Sequence, residues 1–316
     1  MRLSAALFVC TALLGCASQP RPDYMQPRES GGRLEVVDTL PGFLTAVRAE
    51  LDTGKVEDVW LAYQQRHAAL FGAAGATVED PGNEKLIRLI ASTEAILDLV
   101  EIFEAGAAEE MAALDKAITA LLGPPPRLQL VFAVAVEPQA LFRGTTADGR
   151  PLRLINARHP DLAAGPQRRA VLARELFWLT HQHQQPDSSS LGPLARRVFR
   201  EGAASFATRQ LAQDAPEHQI LAVPEYQLTA ARKRERLIAK ELLASLDSAS
   251  EIEEARFFDP LLKDPILPRA AGAWMADKVY QRLAIELGST TRPLQLEATE
   301  FLPRARKHLQ DIAAGR

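Results

Sequence analysis

The side chains best placed to do chemistry fall in two short stretches. In the first, Arg174 and Glu175 stand side by side, Trp178 follows one helical turn after Arg174, and His181 and His183 close the run. In the second, Glu201 opens the segment Glu201-Gly202-Ala203-Ala204-Ser205-Phe206. Carboxylates and imidazoles bind zinc and carry protons. Thiol chemistry has little to draw on, because Cys10 and Cys16 are the only cysteines. A serine nucleophile is not indicated either. Ser188-Ser189-Ser190 follows Pro186-Asp187 as a linker and helix cap, and the chain has no Gly-x-Ser-x-Gly elbow.

Apolar periodicity indicates which elements must hold these residues. A helix is expected over 167–183, opening after Gly165-Pro166, with Val171, Leu172, Leu176 and Leu179 on its apolar side and Pro186 ending it. Glu201 lies on a second helix expected over 191–213. Ahead of both, Leu128, Leu130, Phe132, Val134 and Val136 alternate with Gln129, Val131, Ala133 and Ala135, the pattern of a strand with one bulky and one mostly small face. Residues 142–155 read as a hairpin turning at Ala147-Asp148-Gly149, giving a small sheet of about three strands. Helices are expected over 41–52, 55–71, 84–104 and 108–122, and Gly123-Pro124-Pro125-Pro126 closes that series. Further helices are expected over 226–247, 268–287 and 298–313. The expected fold class is α+β, predominantly helical, with a small β-sheet followed by an active-site-type helix and a glutamate helix. Three lobes follow: an N-terminal helical lobe at 34–123, a core at 124–214 and a C-terminal helical lobe at 215–316.

Val171-Leu172-Ala173-Arg174-Glu175-Leu176-Phe177-Trp178, followed by Phe199-Arg200-Glu201-Gly202-Ala203-Ala204-Ser205-Phe206, resembles the zinc site of gluzincin metallopeptidases. In that family an HExxH helix follows a sheet, and a glutamate on the next helix is the third zinc ligand. The resemblance implies a metallopeptidase-like core in which Glu175 takes the general-base position and Glu201 the third-ligand position. Arg174 and Trp178 stand where the two histidines belong, and neither a guanidinium nor an indole coordinates zinc. Ala273, in Gly272-Ala273-Trp274, stands where related sequences carry a tyrosine, so that hydroxyl is missing too. The implied protein is a pseudoenzyme with a vestigial base, no cofactor and no metal. Its cleft would hold an extended peptide or an envelope protein by strand addition, which needs main-chain pairing only.

A charge can replace the metal. Arg174 is expected to fill the zinc position and pair with Glu201, and with Glu175 beside it, while Trp178 lies over the guanidinium four residues on. Other readings stay open. Glu175, His181 and Glu201 would form a relocated zinc site in a working peptidase. Alternatively the chain is a helical envelope scaffold in which Arg174-Glu175 is merely a polar helix face and Glu201 an acid favoured at a helix start. His67, His159, His218 and His308 lack ligand spacing and read as surface or locally hydrogen-bonded residues. Arg232-Lys233-Arg234-Glu235-Arg236 reads as a solvated helix face.

The rest of the chain bounds where such a protein would work. With 47% hydrophobic and 24% charged residues it is neither disordered nor fibrous, and a net charge of −3 supplies no field for nucleic acid. Met1-Arg2-Leu3-Ser4 and the apolar run to Leu14 form an expected signal peptide over 1–15. Leu13-Leu14-Gly15-Cys16 resembles the lipobox of bacterial lipoproteins, which implies export, lipidation of Cys16 and attachment to a membrane through it. Ala17 in the next position implies the periplasmic face of the outer membrane, and 16–33 reads as a flexible tether. Removing the leader leaves 36 basic against 40 acidic residues, so the anchor would be acyl chains and not a polybasic surface.

Overall fold

Parallel pairing of strands distant in sequence organises the chain. The computed structural model describes residues 28–30, 33–78 and 84–316; the expected signal peptide and Cys16 lie outside the described residues. Strands β1 (Arg28–Ser30), β2 (Leu34–Asp38), β3 (Leu128–Ala133), β4 (Leu141–Thr145) and β5 (Pro151–Asn156) form one sheet in the order β1-β2-β3-β5-β4. β2, β3 and β5 run parallel, and β1 and β4 are antiparallel edges. The sheet therefore has five strands and not about three, and Arg28–Ser30, within the stretch expected as tether, belongs to it. The missed strands are short and local alternation does not mark them. β2 becomes a strand by pairing with β3, which lies beyond the whole first helical series.

β3 stops at Ala133 although the alternation continues to Val136. The amide of Val134 donates to the Tyr63 hydroxyl at 3.0 Å and that of Ala135 to Asn156 Oδ1 at 3.1 Å, so side chains take the place of the ladder. The bulky face of β3 meets helices: Phe132 packs edge-on against Phe103, ring centres 5.2 Å apart. On the opposite face Gly144 of β4 abuts the backbone of Ala73, an approach that a Cβ would block.

The first helical series comprises α1 (Leu40–Glu50), α2 (Val56–Arg66), α3 (Ala68–Ala74), α4 (Glu84–Ala91) and α5 (Thr93–Leu122). The break expected after residue 104 falls instead at Ser92. There the Thr93 hydroxyl donates to the Ile90 carbonyl at 2.7 Å and accepts the Trp60 indole N–H at 3.1 Å. α5 runs on through Gly106, whose bare Cα gives room to the Arg168 guanidinium. Arg168 reaches Glu110 at 2.8 and 2.9 Å and the Ile102 carbonyl at 3.0 Å, pinning α6 (Gly165–Gln184) to α5.

α7 (Pro193–Leu211) follows, then the short α8 (Glu217–Ile220), α9 (Glu225–Lys233), α10 (Glu235–Ser245), α11 (Glu251–Phe258), α12 (Ala271–Leu287) and α13 (Ala298–Ala313). The helix expected over 226–247 is split at Arg234 into α9 and α10. The fold is α+β and predominantly helical. One apolar cluster runs from Val37 through the sheet to Ile312, so the three expected lobes share a core. No helix among the described residues is long and apolar enough to cross a membrane.

α6, α7 and α12 pack successively. Gly202 of α7 faces α12, where a Cβ would lie 2.6 Å from Tyr280 Cδ2 and 2.8 Å from the Ala276 carbonyl oxygen. The Tyr280 hydroxyl donates to the Phe199 carbonyl at 3.0 Å across the same contact. Gly202→Ala should therefore cost about 1–3 kcal/mol by overpacking, despite alanine's better helix propensity. Urea denaturation should show a lower midpoint at unchanged slope; an unchanged or raised midpoint would mean that α12 yields.

Candidate functional site

Successive residues on a helix point about 100° apart, so Arg174 and Glu175 cannot serve the same partner. Arg174 turns towards α7. Its Nη2 donates to the Glu201 carboxylate and its Nη1 to Ser205 Oγ at 2.8 Å and to the Ile220 carbonyl at 3.0 Å. Glu201 also accepts from Arg197, one turn earlier on α7, at 2.7 Å. The Arg174 and Glu201 side chains are both almost enclosed, each 11% exposed, and Glu201 is the one acid paired with Arg174 among the described residues.

Glu175 turns the other way, towards the sheet. It is bound by Arg143 of β4 and by Arg153 of β5, whose Nε stands 3.3 Å from Oε2. The expected contact of Arg174 with both glutamates is thus corrected: Arg174 takes Glu201 alone, and two strand arginines take Glu175. Arg143 and Arg153 are opposite one another in the antiparallel register and so share a face. Arg143 is 61% exposed and Arg153 only 7%, so burial lowers the Arg153 pKa while the charge of Glu175 opposes that shift. With both oxygens of Glu175 occupied by guanidinium groups, it is poorly placed to take a proton from water.

Arg143, Arg153 and Arg197 are the residues that sequence reasoning missed. Their signal was present. Two arginines interrupt otherwise apolar strand runs, Leu-Phe-Arg-Gly and Leu-Arg-Leu-Ile, and a buried one such as Arg153 requires an acid.

The relocated metal site is not brought together. His181 lies among Phe177 and Phe199, ring centres 5.6 and 4.9 Å away, only 2% exposed, and its Nε2 has no hydrogen-bond partner. Six residues separate it from Glu175, which places the two on different helix faces. Among the described residues no group of three His, Cys, Asp or Glu side chains is arranged to hold a metal ion. His183 is exposed at the end of α6. Trp178 does not cover Arg174 either. It packs on the core and lines a pocket with arginines of α7, and the tryptophan that meets cations is Trp274, 4.5 Å from Lys278 Nζ and 5.8 Å from the Arg232 guanidinium. Ala273 is buried in the first turn of α12.

The remaining histidines are local. His159 accepts from the Asp161 amide at 3.2 Å, His218 stands 3.3 Å from Glu225, and His308 stands 2.7 Å from Glu286. His67 differs from expectation in being buried edge-on against Tyr63. Arg232, in the basic cluster, binds Glu217, while Lys233 and Arg236 are exposed as expected of a solvated face.

Two measurements follow. Glu201→Ala should destabilise the fold by about 3–5 kcal/mol by leaving Arg174 enclosed without a counter-charge. Arg174→Met combined with it should recover part of that loss, so the two changes should be non-additive in a denaturation cycle. Strict additivity would show that the pair is not coupled. Burial also pushes the His181 pKa down to about 3 and that of His67 to about 4, from an ordinary 6.5. The unfolded chain then binds more protons than the folded one below pH 6.5, so each histidine weakens the fold as pH falls through that window. His181→Leu should flatten the fall in stability between pH 6 and 5 by up to about 1.4 kcal/mol per pH unit; an unchanged slope would mean that the imidazole is protonated in the fold.

No family model, curated protein or solved structure matches this chain. The chemistry of the site rests on its own geometry.

Proposed function

We propose that this chain is an exported lipoprotein, anchored through Cys16 at the periplasmic face of the outer membrane, whose folded part binds peptide or an envelope protein without hydrolysing it. The observation that carries this reading is the fate of the two glutamates. Each of the acids that the gluzincin resemblance assigns to catalysis is held by two arginines, Glu175 by Arg143 and Arg153, Glu201 by Arg174 and Arg197. Four guanidinium groups around two carboxylates leave a local excess of positive charge, which repels a divalent cation. The same charge favours an acidic ligand.

The surface that supports peptide capture is the outer edge of β4. In its ladder with β5, Thr146 N–H bonds the Arg150 carbonyl and Asn156 N–H the Ala140 carbonyl, both at 2.9 Å. Alternation from those two points turns the main-chain groups of Leu141, Arg143 and Thr145 outward, with Gly75 at the end of α3 lying near the Arg143 carbonyl. An extended segment added there would lie beside the exposed arm of Arg143, which would meet an acidic side chain or terminal carboxylate of the partner.

The test is metal content and peptide binding on the same preparation, the full chain in mild detergent without a histidine tag. We expect no stoichiometric zinc by elemental mass spectrometry, no cleavage, and saturable binding of extended acidic peptides. Thr145→Pro, at an exposed position that donates nothing to β5, should abolish binding and leave the fold intact. About one zinc per chain, lost in Glu201→Gln, would overturn the reading, as would peptide binding indifferent to Thr145→Pro.

A further inference from the structure

A second pocket lies where α6 meets α7 and α11. A pocket of about 220 Å³ opens between three helices, walled by Trp178 of α6, by Arg196, Arg197 and Arg200 of α7, and by Glu251 and Glu254 of α11. Arg200 lies one turn after both Arg196 and Arg197, four and three residues on, so its charge is repelled by theirs unless something compensates them. Of the three, only Arg197 has an ion pair among the described residues. Arg197 has Glu201 at 2.7 Å and Glu254 at 3.9 Å. Arg200 donates to a neutral partner, Ser188 Oγ, at 2.9 Å, and its Nε is buried without an acceptor. Arg196 makes no side-chain hydrogen bond or ion pair among the described residues. Burial lowers the Arg200 pKa, with Arg196 and Arg197 adding to the effect and Glu254 opposing it. A guanidinium does not give up its proton at neutral pH, so the unmet demand is for an acceptor.

The walls define what kind of acceptor fits. A pocket of about 220 Å³ gives room for a small anionic group. Glu251 and Glu254 on the facing wall disfavour a densely charged ligand. Trp178 offers a flat apolar surface beside the guanidinium groups, and planar donors on arginine match the two oxygens of a carboxylate or phosphate.

We propose that this pocket binds a single oxyanion group, a carboxylate or a phosphate, borne on a small ligand, with Arg196 and Arg200 as the donors and Trp178 as the apolar wall. The pocket is lined by no residue of β4 and does not rest on the peptide-binding reading. Ser188, which sequence reasoning assigned to a linker, positions Arg200 for this role.

Titration of the full chain with inorganic phosphate and, separately, with acetate at constant ionic strength tests it, read by heat and by tryptophan emission. The expected result is saturable heat with at least one anion, and an emission change that Trp178→Phe removes while the heat persists. Saturation by phosphate alone assigns a phosphoryl ligand, by acetate alone a carboxylate ligand, and by both the shared chemistry. Arg196→Gln should weaken binding about tenfold without lowering Tm, because Arg196 has no side-chain partner among the described residues. The double variant Arg196→Gln/Arg200→Gln should abolish it. Arg88→Gln, an exposed arginine on α4, should leave it unchanged. No saturable heat with either anion, or affinity retained within about twofold in the double variant, overturns the proposal.

Discussion

Two carboxylates enclosed on neighbouring elements set the constraint to which the centre of this molecule is built. An ionised glutamate removed from water costs several kcal/mol unless cationic hydrogen-bond donors surround it. Glu201 meets that demand through Arg174, which crosses from α6 to α7 and carries its remaining donors to Ser205 and the end of α8. The pair therefore fixes how α6 lies on α7. On the other flank of α7, the absence of a side chain at Gly202 lets α12 approach closely, and Tyr280 seals that contact by bonding the Phe199 carbonyl. Three helices are thus held by one ion pair, one missing Cβ and one hydroxyl.

Glu175 poses the same problem on the sheet side and has a different solution. Arg143 and Arg153 come from adjacent antiparallel strands in direct register, so the sheet itself presents a two-pronged cation to the helix. The two solutions are unequal energetically. The Arg143 pair is half in water and contributes little to stability, whereas the Arg153 and Arg174 pairs are enclosed, and breaking them leaves a charge without compensation. A chain with a net charge of −3 therefore concentrates positive charge where its central helix meets both neighbours. That concentration is a local property, invisible in the overall charge.

The arginines of α7 extend the pattern outwards. Arg197 belongs at once to the enclosed pair at Glu201 and to the pocket beside Trp178, so the interior charge network reaches solvent through α7. His181 marks the opposite extreme a few residues along α6, an imidazole stacked among phenylalanines and held neutral by burial. One helix thus carries an ion pair to the next helix, an acid to the sheet, an apolar contact to a pocket and a buried neutral histidine, each assigned by its angle about the axis.

Much of this was legible along the chain. Periodicity located the long helices α6, α7, α12 and α13 within a few residues, because amphipathic faces repeat locally, and the Asp148-Gly149 turn placed the β4–β5 hairpin. The pairing of Arg174 with Glu201 was equally legible. What stayed hidden depended on contacts between distant segments. β2 is a strand because β3 lies beside it, α5 continues through Gly106 because Arg168 packs there, and β3 ends early because Tyr63 and Asn156 claim its amides. The partners of Glu175 and the burial of His181 belong to the same class. Residue types and local spacing determined which helices form and which charges must be compensated. Only the tertiary structure decided which arginine meets which glutamate, because a buried charge takes the counter-charge that packing brings within reach, whatever its distance in sequence.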